Sequence, residues 1–500
     1  MQARRKLSRY QLIPVTAVFV GALVTAQSAM ADPISLFTSG DLIISTVSSF
    51  NGGGLDTASP IVLQQFQLSA NGAAAISAGT FTLPQIGSGN NSAISGEYGS
   101  ASEGILQRSV DGKYLTIMGY GVNATAFNRA PLSTYGTAAL GQTTSLTAAN
   151  QTGTPVTTVS RVVALIGANG SVDTSTALTG VYNQNNPRSV ATVDGSSFYI
   201  SGQASSKTDP TQGVFYATLG ANTATKIDNT TDTRVVSIFN NGNGNTLYTS
   251  RDFNPPSGAT QNFTNVSSQT DANGGLPTSS SGLITTHITP AAGSLSLGGN
   301  NGSINLTAAT ANGVNNARIG SFVYLSPEQF FYASPDVLYV ADSGQPKNGK
   351  VNTAALGEGG LQKWVQTNGT WTLAYDLTAG LNLVNNATIS TTNISAPGVT
   401  GLLGLTGKVV NGQVQLFATS YGLNELSQSY LYGITDNLTA TSISQVSNEQ
   451  FSVLYTDTTG LTSIRGVSLA PVPEPETDGM LMVGLGLLGF MVRRRKNLQA

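Results

Sequence analysis

Four arginines occupy comparable places in short, β-patterned runs: Pro187-Arg188-Ser189-Val190, Thr233-Arg234-Val235-Val236, Ala317-Arg318-Ile319-Gly320 and Ile464-Arg465-Gly466-Val467. A fifth such place holds Glu103, and a sixth holds Thr400 or Gly401. If each run is the innermost strand of a repeated unit, these side chains ring one mouth of a central channel. The planar guanidinium fork matches carboxylate or sulfate, so such a ring suits an acidic glycan. The same arginines could instead bond the carbonyls at the ends of neighbouring strands, with Glu103 as counter-charge.

Other reactive chemistry is sparse. There is no cysteine and a single histidine, His287, in a Ser/Thr-rich stretch. Thiol catalysis and cysteine-ligated metals are excluded, and a Ser-His-Asp triad or a multi-histidine metal centre is not expected. Asp228-Asn229-Thr230-Thr231-Asp232 and Asp271-Ala272-Asn273-Gly274 contain oxygen ligands but lack the spacing and terminal Glu of a calcium-binding hand; they read as turns. Asn368-Gly369-Thr370-Trp371 lacks the Asp and the Gly-x-Thr spacing of a sialidase Asp-box and reads as a hairpin turn before a core Trp. A glycosidase needs two carboxylates in catalytic range, and nothing in the sequence requires any two to meet. No catalytic residue, cofactor or metal is assigned.

The elements that would position the arginines follow from a repeat. With 57 glycines and many Asn, Ser and Thr, the chain favours turns and short strands. Turns followed by aromatic-bearing strands recur at Val110–Ile117, Val193–Ile200, Gly244–Thr249, Pro335–Val340 and Asn411–Phe417. These alternate with a second hairpin turning at Asn71-Gly72, Asn169-Gly170, near Asn222, at Asn368-Gly369 and at Asp436-Asn437. Two hairpins make four antiparallel strands, one blade of a β-propeller. The expectation is an all-β propeller of about six four-stranded blades. Five are complete (103–180, 187–229, 233–290, 318–377 and 400–446). A sixth joins 41–81 to 463–469 and closes the ring. A seventh could lie in the insert 130–160 or 254–316.

Both ends of the chain read as targeting. Arg4, Arg5, Lys6 and Arg9 precede a moderately apolar run (12–25) and the small-x-small site Ala29-Met30-Ala31, so 1–31 is expected to be a cleaved signal peptide. Residues 32–470 form the body and 471–500 the tail. The tail orders Pro473-Glu474-Pro475, an apolar segment (479–492), then Arg493, Arg494, Arg495 and Lys496. As a helix the segment spans roughly 21 Å, short of the ~30 Å hydrocarbon core, which suits a temporary anchor. The basic cluster stays cytoplasmic. Eight of the 23 basic and three of the 25 acidic residues lie in these ends, leaving the body near −7. An acidic body argues against nucleic acid.

This tail resembles the PEP-CTERM signal read by exosortases, with Glu476 where a Ser is usual. The resemblance implies export through the Sec machinery, transient inner-membrane anchoring and exosortase processing, ending at the cell surface or extracellular matrix. The body resembles uncharacterised secreted β-propellers of the same group in Ser102-Glu103-Gly104 through Asp111–Leu115, in Leu338–Asp342 and in Arg465–Pro471. That likeness implies a fold and no reaction. The expected function is non-catalytic binding of a glycan, such as an acidic exopolysaccharide, or of a surface protein. The alternatives are a secreted polysaccharide hydrolase or lyase and a purely structural matrix component.

Overall fold

The Asn-Gly pairs do what their chemistry allows. Asn368 and Gly369 both take positive φ (51° and 79°), as do Asn411 and Gly412 (52° and 76°). Each pair is a two-residue loop between directly opposed residues, Thr367 with Thr370 and Val410 with Gln413. This is the primed turn whose twist matches that of its strands. A computed structural model describes residues 36–52, 54–229, 232–242, 244–251, 266–288, 318–319, 322–323, 327–344, 359–381, 383, 399–422, 428–457 and 461–472. The signal site (Ala29, Ala31) and the sorting residues (Pro473, Glu474, Pro475, Arg493, Arg494, Arg495) lie outside them.

Five four-stranded antiparallel sheets form propeller blades. Blade A orders Thr462–Leu469, Leu42–Ser48, Val62–Leu68 and Ala75–Thr82. Blade B spans 187–228 and begins with Pro187–Ala191. Blade C spans 233–287 and begins with Thr233–Asn240. Blade D spans 327–377 and begins with Pro327–Ser334. Blade E spans 399–456 and begins with Val399–Val410. Between blades A and B stands a larger, seven-stranded sheet, whose short strand Gln107–Arg108 packs against the first strands of both neighbours.

Among the described residues the number of four-stranded blades is therefore five, not six or seven. The stretch expected to make a further uniform blade, 103–180, recruits Thr57–Pro60 and Ser95–Tyr98 and becomes the seven-stranded sheet. Glycine permits this: a Cβ on Gly119 would stand 2.6 Å from the Ser95 carbonyl oxygen, so only a bare backbone lets that strand approach. The insert 130–160 holds short helical turns and no blade. The described part of 254–316 supplies the two outer strands of blade C, Val266–Thr270 and Ile284–His287.

The ring closes as expected from the chain ends. The last strand pairs with the first, Leu469 opposite Leu42 and Ser463 opposite Val47. Both faces are apolar: Leu42, Ile44, Phe66, Ile464, Val467 and Leu469 pack with Phe417 and Leu431 of blade E, while Ile43, Val47 and Leu63 pack with the seven-stranded sheet. A strand buried on both faces reads as a near-continuous apolar run.

Arg318 is a second correction. It lies in a separate two-stranded hairpin, Arg318–Ile319 with Phe322–Val323, and not on an innermost strand. The innermost strand of blade D is Pro327–Ser334, whose Phe330 and Tyr332 enter the core beside Leu338 and Trp364. It carries Glu328 where blades B and C carry Arg188 and Arg234.

Candidate functional site: the two ends of the propeller axis

The innermost strands run side by side around the axis, so their first residues gather at one end and their last at the other. The middle is filled. Ile105, Val235, Phe330 and Leu403 belong to one packed cluster. Two buried glutamines tie strands together across the ring. Gln107 donates to Val190 O (3.0 Å), Val236 O (2.6 Å) and Ser189 Oγ (3.2 Å). Gln329 accepts from Leu405 N (2.8 Å) and donates to Leu106 O (3.5 Å). A buried amide with both ends bonded costs little, whereas one left bare costs 1–3 kcal/mol or so per group.

At the starting end stand the arginines, and they are buried: Arg188, Arg234 and Arg465 are 4%, 7% and 3% exposed. Arg188 Nη1 lies 2.6 Å from Asp232 Oδ1 and 3.1 Å from Thr233 O, and its Nη2 donates to Gln203 Oε1 at 2.5 Å. Arg234 shares Asp232 (3.5 Å) and reaches Glu328 Oε1 (3.9 Å), which also accepts from Ser343 Oγ. Burial, and then the neighbouring Arg234, pull the Arg188 guanidinium below its ordinary value; Asp232 opposes them. Thr400 bonds Ser343 O through its hydroxyl (2.9 Å). The expected set is thus brought together in part. Arg188 and Arg234 join with two acids, and Arg318 stands on its separate hairpin.

Arg465 belongs to a second group with Glu103. Burial pushes the Glu103 carboxyl up to about 7, against the Tyr120 hydroxyl that donates to it and the nearby charges of Arg465 and Arg161. Glu97 offers its backbone N–H to Glu103 (3.3 Å), while its own carboxylate accepts from Gly141 N (2.8 Å). Arg161, fully buried, stacks on Tyr120 and donates to the carbonyls of Val159, Thr143, Tyr182 and Asn185, which pins the insert 121–160 to its sheet.

The finishing end is open. A cavity of about 330 Å³ is lined by residues from the seven-stranded sheet and from blades A, C, D and E. Its rim carries the exposed Arg108 and Asn240 and the half-buried Phe239 and Phe331. Tyr332 stacks on Phe239 at 4.6 Å between centroids. Among the described lining residues none is acidic and none is histidine. The sequence held these residues but not their importance. The usable signal was a register: Arg108 follows the axial Gln107, while Phe239 and Phe331 fall late in their innermost strands.

The remaining candidates stand elsewhere. His287 faces Ser267 across two strands, Nδ1 to Oγ 2.6 Å. Asp271 closes its own turn by accepting from Asn273 N and Gly275 N, as a turn Asp does. Among the described residues, no three His, Asp or Glu side chains converge as metal ligands would.

Residues 471–496 match the PEP-CTERM protein-sorting motif. The chain is therefore an exported protein sorted to the cell surface, and the motif implies processing by an exosortase. A comparison with curated proteins gives no match. Solved structures that resemble the body include a hypothetical selenium-binding protein from Sulfolobus tokodaii (8% identity, 87% of this chain and 94% of that one, TM-score 0.40). Others are AofleA from Arthrobotrys oligospora (8%, 88% and 92%, 0.34) and the β-propeller domain of the Trilobed protease from Pyrococcus furiosus (9%, 76% and 84%, 0.26). None of these bears on activity. Among the described residues, no helix is long and apolar enough to cross a membrane.

Proposed function

We propose that this chain is a non-catalytic binding protein of the cell surface or extracellular matrix, and that the open end of the axis holds its ligand. The observation that carries the reading is the composition of the 330 Å³ cavity: four aromatic rings (Phe239, Phe330, Phe331 and Tyr332), amides and Arg108, whose Nη1 also donates to Ala470 O (3.4 Å), without an acid–base pair among its described lining residues. Aromatic faces stack on the apolar face of a sugar ring, and Arg108 offers a fork for a carboxylate or sulfate. An acidic exopolysaccharide is the ligand class this combination suits. The burial of Arg188, Arg234 and Arg465, and the ion pairs of the first two with Asp232 and Glu328, support a structural role for them at the opposite end. The Sec machinery and a transient inner-membrane anchor at 479–492 complete the route by which the body reaches the surface.

The test is retention on immobilised acidic polysaccharide, compared with a neutral one. Arg108→Ala together with Phe331→Ala should abolish retention and leave far-UV circular dichroism unchanged. Unchanged retention would remove the axial mouth as the site. Absence of retention in the wild type on every glycan tried would favour the purely structural matrix component. Steady release of reducing sugar would favour the hydrolase.

A further inference from the structure

The core between blades D and E contains a lysine and an aspartate that are both completely buried, Lys363 and Asp436. Lys363 lies on Gly360–Thr367 of blade D and Asp436 on Tyr430–Asn437 of blade E. Lys363 Nζ is 2.9 Å from Asp436 Oδ2, 2.9 Å from the Tyr375 hydroxyl and 2.6 Å from Asn437 O. Tyr375 donates to Asp436 Oδ1 (2.7 Å), and Tyr339 donates to Oδ2. The lysine nitrogen also lies over both tyrosine rings, 5.2 and 5.5 Å from their centroids. Glu449 brings a third group: its carboxyl rests against that of Asp436, and Asn437 N donates to its Oε1 (3.4 Å).

We propose that Lys363 and Asp436 condense without an external catalyst into an intramolecular isopeptide bond, with Glu449 assisting departure of the hydroxyl. A nucleophilic nitrogen and a carboxyl group, both fully buried, are held in contact, which is the arrangement that converts a difficult bimolecular step into an intramolecular one. The ammonium proton passes directly to the Asp436 carboxylate across their 2.9 Å contact, giving a neutral amine and a neutral acid. The amine lone pair attacks Cγ and the C–N bond forms. The two tyrosine hydroxyls hold the oxygens of the tetrahedral intermediate, as oxyanion donors do. Glu449 gives its proton to the departing hydroxyl as the C–O bond breaks, and takes one back from nitrogen. One amide and one water result, no oxidant or reductant is used, and Glu449 returns to its starting state.

The surroundings favour each part. Burial lowers the lysine's affinity for its proton, which helps free the lone pair. Burial and the adjacent Asp436 push Glu449 up to about 8, so it holds a proton to give at neutral pH. Glu449 also lines a cavity of about 640 Å³ that reaches the turn 70–73 of blade A, which offers the water a way out. The result is a covalent tie between two neighbouring blades, spanning 363 to 436, in an exported chain with no cysteine to make a disulfide.

The test is mass spectrometry of the purified full chain, with both termini fixed by peptide mapping. The expected wild-type mass is lower by one water, about 18 Da, and fragmentation places the loss in a branched peptide joining Lys363 to Asp436. Lys363→Met and Glu449→Gln should both restore the full mass while keeping the β-sheet circular dichroism. Separate, unmodified Lys363 and Asp436 peptides from folded wild type would overturn the bond. A loss mapped instead to a succinimide at Asp111-Gly112 or Asp194-Gly195 would overturn it equally. A branched peptide persisting in Glu449→Gln would overturn the role given to Glu449.

Discussion

Asp232 stands between two arginines: its Oδ1 is 2.6 Å from Arg188 Nη1 and 3.5 Å from Arg234 Nε. Asp232 immediately precedes the first strand of blade C, at positive φ (56°), and its carboxylate is a counter-charge shared by the second residues of two neighbouring strands. Removing one partner of such a set leaves charge buried without its counter-charge. Arg188→Ala should therefore cost on the order of 2–4 kcal/mol, with Asp232 at 26% side-chain exposure tempering the loss. Urea unfolding measures it. A change below about 0.5 kcal/mol would mean that the arginine is free to serve a ligand after all.

The closing sheet makes a second prediction. Deleting 463–470 strips the partner from Leu42–Ser48 and exposes apolar faces that now pack on blade E and on the seven-stranded sheet. Unpaired, apolar edges aggregate. Light scattering should show aggregation of that truncation, and a soluble monomer when the chain is cut after Val472. Equal solubility of the two would remove the seam as the source of closure.

These two cases also show what a reader of the sequence can and cannot see. The seam was legible because Ser463–Leu469 is a strand-like run with no followers and 41–81 supplies strands with no innermost partner. The Asn-Gly turns were legible because few residues accept two positive φ angles in succession. The seven-stranded sheet was not, since the strands added at 57–60 and 95–98 follow no repeat and depend on a close approach at Gly119. Arg318 misled because Ala-Arg-Ile imitates Thr-Arg-Val. The better signal was Pro327-Glu328 beside Pro187-Arg188, a change of sign that propensity and pattern do not weigh. The axial cavity was invisible for another reason: Arg108, Phe239 and Phe331 meet only when the ring has closed.

Glu103 gives a pH dependence. Its folded value of about 7 lies above the ordinary 4.5, so between those limits the folded state holds a proton that the unfolded state has released. Stability contributed by this group is present below pH 4.5 or so and declines as pH rises toward 7. The loss is on the order of 3 kcal/mol, since one unit is about 1.4 kcal/mol. Glu449, half-buried, adds a smaller decline of the same sign up to about 8 wherever the neighbouring Asp436 carboxyl is uncondensed. Urea midpoints at pH 5 and pH 7.5 check this, and Glu103→Gln should flatten the difference. A midpoint that rises over this range and responds to Glu103→Gln would contradict the buried, protonated carboxyl.

The tail carries the last prediction. Residues 471–496 match the sorting motif, and its apolar segment 479–492 would extend roughly 21 Å as a helix, against a hydrocarbon core of ~30 Å. Mismatch of that size would make a weak permanent anchor, and on the proposed route Arg493, Arg494, Arg495 and Lys496 would hold the end on the cytoplasmic side while a protease acts. The three prolines at 471, 473 and 475 disfavour a helix just before it, a composition that suits an accessible protease site. The body needs none of this, because its last strand ends at Leu469. Hence the mature surface form should end near 473–476. Intact-mass analysis of protein released from the cell surface reads the terminus directly, and replacing Pro473-Glu474-Pro475 by alanines should trap the full chain in the membrane fraction. Surface material that still ends at Ala500 in the wild type would sink the prediction.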